Sequence, residues 1–357
     1  MKPSAIIRAT AMGVALAAGL PARGQGPSPA PVTPNASPEA RALLAFLQAV
    51  SGRHTLTGQH NYPNALDAST REAAALYGKT PAVFGLDFGF AAPGDSDAAA
   101  ARPRNVAEAI ERYRRGAIIT YCWHEVRPTD DEPVTFDGSI QGRLTDRQWE
   151  ELTSPGTALH RRWCAQVDVI AGFLKQLQAA RVPVLWRPLH EMNGDWFWWG
   201  GRPGPRGSAA LFRLLFDRLV HDHGINNLVW EWNVDRPTSP ERQFSKFFPG
   251  ADVFDVASLD AYDGDFAQSY YEGLLRLAGG KPIALAELAP PPAIAVLERQ
   301  PRWAWWMVWA EMVKPKDEAG ARAVRALVRD PRSWSLDDPA YLEATAPIRA
   351  ASGRPGP

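Results

Sequence analysis

Two periodicities alternate along this chain. Short runs rich in β-branched, aliphatic and aromatic residues read as strands, and between them apolar residues return every three or four positions, the spacing of a helix face. Eight runs are strand-like: 54–60 (HTLTGQH), 81–89 (PAVFGLDFG), 116–124 (GAIITYCWH), 182–191 (VPVLWRPLHE), 226–233 (NNLVWEWN), 254–262 (FDVASLDAY), 282–288 (PIALAEL) and 303–312 (WAWWMVWAEM). They are near-continuous apolar runs, as expected of parallel strands covered on both faces. Segments such as NVAEAIERYRRG, QVDVIAGFLKQLQAARV and SAALFRLLFDRLVHDHG carry the helical period; the last is expected to start at Ser208 as its N-cap and stop at Gly224. Strands mostly each followed by a helix predict an α/β fold, a single-domain (β/α)₈ TIM barrel, whose usual size of about 250 residues leaves room for decorated loops. The longest of these spans 125–157. A doubly wound open sheet is the rival, but its glycine-rich nucleotide fingerprint is missing.

The N-terminus departs from this pattern. MKPSAIIRATAMGVALAAGLPARGQG carries Lys2 and Arg8, then an apolar run, then small residues, the pattern of a secretory signal peptide over 1–24 with cleavage between Ala22 and Gly26. A Pro/Ala-rich linker is expected over 25–37 and the folded domain over 38–350. These features predict a protein that is secreted or periplasmic, with no membrane association after cleavage. Cys122 and Cys164 could pair in such a compartment, but their separation is not readable from the chain.

Charge narrows the partners. The 357 residues carry 39 Lys and Arg against 39 Asp and Glu, a formal net charge of zero. No basic run, zinc-type cysteine pair or phosphate-cradling loop is present, so a nucleic-acid partner is not expected.

In a barrel of this kind the carboxyl ends of the strands converge on one site. There the chain places Asp87, Trp123, His124, Arg187, His190, Glu191, Glu231, Trp232, Asn233, Asp260, Tyr262, Glu287 and Trp309. Glu287 stands 96 positions after Glu191, three βα units of about 32 residues, so strands four and seven carry one carboxylate each at the same rim. Glycosidic cleavage needs such a pair, one group to protonate the leaving oxygen and the other to attack or to activate water. Aromatic rings fit the apolar faces of a sugar, and Trp196, Trp198 and Trp199 follow directly after Glu191. Arg187 reads either as a site residue or as a clamp on a neighbouring carboxylate. Glu231 is the competing carboxylate, and Asp87 and Asp260 read as hydrogen-bond acceptors behind the site.

The stretch RPLHEMNGDWFWWG and the strand IALAELA, together with SGRHTLTGQHNY, GLDFG, YCWH and SLDAYD, resemble glycoside hydrolase family 26, the β-mannanase family of the large (β/α)₈ glycosidase clan. The resemblance runs from about His54 to Trp309. It implies Glu191 as general acid/base, Glu287 as nucleophile and Tyr262 as a hydrogen-bond partner of the nucleophile. It also implies His124, Trp196 and Trp309 as lining of the sugar subsites, with His190 in the place typical of this family. Arg187 and Trp199 join these as expected substrate-binding residues. The implied reaction is retaining hydrolysis of internal β-1,4 bonds in mannan, glucomannan or galactomannan by a monomer, with no metal or organic cofactor. Mixed-linkage β-glucan, β-1,3-xylan and a sugar-binding barrel without catalysis remain alternatives. The chain departs from the family pattern at Ala310–Glu311 after the strand-eight tryptophan and at LAPPP after Glu287.

Overall fold

The computed structural model describes residues 30–91 and 96–353. Eight parallel strands form its centre: β1 (Thr55–His60), β2 (Val83–Asp87), β3 (Ile118–Trp123), β4 (Val184–Pro188), β5 (Leu228–Asp235), β6 (Val256–Tyr262), β7 (Ile283–Ala289) and β8 (Trp303–Val308). Each pairs with the next in sequence, and β8 pairs with β1 from Leu56 opposite Trp305 to Gln59 opposite Val308, which closes the barrel. Around it run α1 (Pro38–Val50), α2 (Ala68–Tyr77), α3 (Arg102–Arg114), α4 (Asp146–Leu152), α5 (Ala158–Ala179), α6 (Ser208–Asp217), α7 (Gln268–Ala278), α8 (Ile294–Arg299), α9 (Glu318–Arg329) and α10 (Pro339–Ala351). None of the described helices is long and apolar enough to cross a membrane.

Nearly every strand residue is buried, because side chains on one face fill the barrel and those on the other meet the helix ring. Ten of the fourteen tryptophans are less than 2% exposed, Trp186, Trp230, Trp305 and Trp306 among them. The chain's heavy use of tryptophan is therefore chiefly a matter of packing, each indole burying a large apolar area.

All eight expected strands form, and three of their shifted ends bear on the site. The fourth, expected to 191, stops at Pro188, which has no N–H to continue the ladder. Leu189 and Glu191 then take positive φ angles of 48° and 50°. The eighth, expected to 312, stops at Val308 and passes through Trp309 into a 3₁₀ turn over Ala310–Val313. The fifth runs two residues beyond its expected end, to Asp235. Ser208 is not an N-cap: its hydroxyl donates to the Trp199 carbonyl at 2.6 Å, and α6 follows Gly207. The helix then widens into a π-helical turn over Arg218–Asp222 before Gly224, whose φ is +66°.

The expected signal peptide lies outside the described residues, as do 25–29 of the expected linker. The rest of that linker is folded. Val32 N donates to Asp255 Oδ1 at 2.7 Å, Ser37 N to the Asn226 carbonyl at 2.8 Å, and Thr33, Ala36 and Ser37 are buried. Ser37 caps α1 by accepting from Ala40 N. Composition hides this packing, since prolines and alanines serve a fixed extended segment as well as a loose one. Cys122, buried, and Cys164 are both free thiols.

The end of β2 is held close to the end of β3. A Cβ added at Gly89 would lie 1.8 Å from the His124 carbonyl oxygen, and backbone cannot yield there as a flexible side chain could. Gly89→Ala is expected to cost about 1–3 kcal/mol or more, read as a lowered unfolding midpoint in urea. An unchanged midpoint would show that this approach is not required.

Candidate active site

The site is built on a buried cation. Arg187, 1% exposed at the end of β4, reaches Asp260 Oδ2 through Nη1 at 2.8 Å and Glu287 Oε2 through Nη2 at 2.7 Å. Burial opposes its charge, but Asp260 and Glu287 hold its pKa well above the ordinary arginine value. The Tyr262 hydroxyl donates to the other oxygen of Glu287. Burial and then the charges of Glu287 and Glu191 push that phenol well above its usual range, so it stays a donor. Asn233 on β5 completes the frame. Its Nδ2 donates to Asp260 Oδ1 at 2.7 Å and to Ser258 Oγ at 2.9 Å, and its Oδ1 accepts the Glu191 backbone N–H at 2.7 Å.

Glu191 leaves β4 on a turn with two positive-φ residues, a conformation that costs about 1–3 kcal/mol per residue and persists only when its surroundings impose it. Those surroundings are visible. Trp199 Nε1 donates to the His190 carbonyl at 2.9 Å, Asn193 exchanges hydrogen bonds with the Asp235 backbone at 2.7 Å, and Asn233 holds Glu191 N.

Glu191, Asp260 and Glu287 each offer an oxygen within 4.8 Å of the other two. Three carboxyl groups so close need positive charge or protons, and Arg187 contacts two of them directly. Glu191 has no such contact. Burial, then the negative charge of Glu287 and that of Asp235, push its carboxyl well above the usual range; a hydrogen bond from Trp196 Nε1 to Oε2 at 2.5 Å and the more distant Arg187 pull the other way. One carboxylate is thus held by Arg187 and Tyr262 while its neighbour is biased to carry a proton, the division of labour of an acid and a nucleophile.

His124 and His190 border this pair. His124 Nδ1 donates to Asp87 Oδ2 at 2.6 Å, and its Nε2 lies 3.2 Å from His190 Nε2. Burial alone would raise Asp87, but the charge and hydrogen bond of His124 and the Gly89 N–H bring it below the usual value. His190, 1% exposed, is kept neutral: burial first, then His124, Arg187 and His60, hold its pKa well below the imidazole range. Its Nδ1 has no partner among the described residues.

Most residues expected at the site come to this rim or directly beneath it, but Trp123 packs toward α5 beside Ile170 and Trp232 packs against Phe248 and Phe254, both away from the mouth. Trp196 is half-buried, bonded to Glu191, with the Arg242 guanidinium over its ring. Trp309, 6% exposed, stands among Tyr62, Phe90 and Tyr262. Trp199, expected to bind substrate, is fully buried against Phe197, and its Nε1 reaches the His190 carbonyl. Trp198 is likewise buried, its Nε1 donating to the Glu125 carbonyl at 2.7 Å. Glu231, the competing carboxylate, lies inside the barrel. Because β5 continues to Asp235, Glu231 falls below the rim, where burial raises its pKa to about 7 against the pull of Arg187.

His60, at the end of β1, was not among the residues expected at the site. Its ring stacks on Trp309 at 4.1 Å and 13°, and burial takes its pKa to about 3. The strand-end rule applied to the other seven strands would have found it. Tyr62 and Phe90 carry no such signal, since they follow their strands in loops.

The chain matches the model of glycosyl hydrolase family 26 over residues 32–338. It is 36% identical over 287 residues to a mannan endo-1,4-beta-mannosidase of Thermothelomyces thermophilus, covering 78% of this chain and 56% of that protein. The chain spans about half the length of the first curated relatives it matches. Among solved structures, GH26A from Muricauda sp. superposes with a TM-score of 0.80 at 38% identity, over 85% of this chain and 98% of that one. A beta-mannanase from a symbiotic protist of the termite Reticulitermes speratus, complexed with gluco-manno-oligosaccharide, gives 0.73 at 27% identity over 86% and 96%.

The Trp196 contact sets a pH test. A general acid must hold its proton, so if Glu191 fills that role, activity is expected to fall as pH rises through its pKa. The indole N–H favours the ionised form. Trp196→Phe is therefore expected to move the basic limb of the kcat/KM profile to higher pH. A limb that stays in place or moves down would show that this bond does not govern the acid.

Proposed function

The chain belongs to glycosyl hydrolase family 26, and from that membership we propose that it is an exported, monomeric endo-β-1,4-mannanase. It cleaves internal bonds of mannan, glucomannan or galactomannan with retention of configuration. One observation carries the reading: Glu191 and Glu287 present oxygens within 4.8 Å of each other while only Glu287 is held by Arg187 and Tyr262. Retaining enzymes keep their carboxyl groups about 5–5.5 Å apart, whereas inverting ones need about 6.5–9.5 Å to admit a water. The relatives named as mannan endo-1,4-beta-mannosidases support the choice of polymer.

In the first step a Glu287 oxygen attacks the anomeric carbon as the Glu191 carboxyl passes its proton to the departing glycosidic oxygen. That breaks the inter-sugar bond and leaves a glycosyl ester on Glu287. In the second, Glu191, now ionised, takes a proton from water as the water oxygen displaces Glu287, restoring both groups. Tyr262 and Arg187 hold Glu287 in line and take up its charge when it departs. His124, His190, Trp196 and Trp309 border the sugars on either side. Glu191 makes both proton transfers and Glu287 supplies the nucleophile, so the scheme calls for no metal or cofactor. Export rests on residues 1–24 of the sequence, and the N-terminus of the mature protein tests it.

Incubation with mannohexaose, galactomannan, lichenan and β-1,3-xylan side by side is expected to release reducing sugar fastest from the mannan substrates, with the β-anomer formed first by NMR. Glu287→Ala should abolish turnover with the fold intact by circular dichroism. Glu191→Ala should lower kcat/KM about 10²–10⁴-fold, with less loss on aryl glycosides whose leaving group needs no proton. Faster release from lichenan or xylan would replace mannan as the substrate, and an α-anomer formed first would falsify retention.

A further inference from the structure

A crevice of about 210 Å³ lies between α5 and the loop that follows β3. One wall is that loop from Val126 to Glu132, the other is a face of α5 from Arg162 to Ile170, and Arg102 at the start of α3 closes one end. Trp123, the last residue of β3, also lines it. His124, the next residue, borders the catalytic carboxyl groups, so the crevice and the cleft share one strand end while remaining separate.

Several polar groups here are not used within the protein. Gln166 gives Nε2 to the Asp130 carbonyl at 3.0 Å, which leaves Oε1 as an acceptor, and that buried oxygen has no partner among the described residues. Trp123 Nε1 and Arg162 Nε, two buried N–H donors, have none either. A buried donor or acceptor left unpaired is costly, so each marks a place for a bonding partner. The charges, by contrast, are matched: Arg102 Nη1 meets Glu132 at 2.7 Å, and Arg162 Nη2 meets Asp131 at 2.7 Å. The open groups therefore suit a neutral ligand whose hydroxyls both accept and donate.

Apolar surface lies beside them. Val126, Ile170 and the Trp123 indole contribute to it, and so does Val169, 51% exposed and one of only two large hydrophobic side chains so exposed among the described residues. A sugar ring needs this combination of apolar contact and scattered hydroxyl partners. The volume is many times the about 10–15 Å³ that a single water requires.

We propose that this crevice is a second carbohydrate site, outside the catalytic cleft, that holds one pyranose unit of the polymer the enzyme cleaves. The sugar hydroxyls accept from Trp123 Nε1 and Arg162 Nε and donate to Gln166 Oε1. The inference rests on the mannanase reading and goes beyond it. An enzyme that grips its polymer at two points makes the second contact intramolecular, and long chains gain from this more than short ones.

The Trp123 indole N–H gives one signal in a proton–nitrogen correlation spectrum, assigned by its loss in Trp123→Phe. In the Glu287→Ala protein, mannohexaose is expected to move that signal. Ala165→Trp and Val169→Asp, both at exposed positions of α5, fill the crevice or set a charge in it. Each should abolish the movement while the Trp196 signal still responds. In otherwise wild-type enzyme the same two changes should lower the rate on insoluble mannan about threefold or more, with kcat/KM on mannohexaose unchanged. A Trp123 signal that stays still, or moves as much in the blocked variants, overturns the site. Glycerol moving it as far as mannohexaose overturns the preference for a sugar ring, and unchanged rates on insoluble mannan overturn the two-point grip. Wild-type turnover of mannohexaose tests the mannanase reading separately.

Discussion

The guanidinium of Arg187 is the group on which the site depends. It lies in the mouth of the barrel, out of water, between Asp260 and Glu287, with Glu191 and Glu231 close by. Removing one partner of a buried pair costs about 3–5 kcal/mol because the other charge is left uncompensated. Without Arg187 several acidic groups would compete for protons in one small volume, and the difference in surroundings between Glu287 and Glu191 would disappear. Its planar fork also fixes direction: one nitrogen goes to β6 and the other to β7, so the cation orients Glu287 as well as neutralising it.

Asn233 does for Glu191 what Arg187 does for Glu287. A side-chain amide has a donor and an acceptor end. Here they join Asp260 to the backbone of the strained turn carrying Glu191, so the two glutamates belong to one hydrogen-bonded frame running across β4, β5, β6 and β7. The cost of two positive-φ residues is met by packing and by the Trp199 and Asn193 bonds, all supplied by the loop after the turn. That explains the density of large side chains in WFWWG. Trp199 is buried beneath the turn and holds it, Trp198 is buried and tied to the Glu125 carbonyl, and of the three only Trp196 reaches the Glu191 carboxyl group.

Much of this was legible in order along the chain. Apolar runs separated by helical periods marked the eight strands, because a parallel strand covered on both faces has little choice but to be apolar throughout. Polar residues at the ends of those runs marked the rim, and the distance from Glu191 to Glu287 marked two strands facing one cleft. His60 obeys the same rule at the end of β1. Less legible were strand ends, which turn on a residue or two: β5 continues to Asp235, and that shift alone moves Glu231 from the rim into the interior. Burial of Trp199 and packing of residues 32–37 were also beyond reach, since an indole or a proline reads the same whether it faces solvent or a neighbour.

What the chain determined by itself is the kind of barrel and which residue types crowd its mouth, since periodicity and strand-end position are local properties. Which carboxylate meets a guanidinium and which keeps a proton was decided only when strands four to seven closed side by side. That difference is made by burial and by contacts across a hundred residues of sequence, and such contacts exist only in the folded molecule.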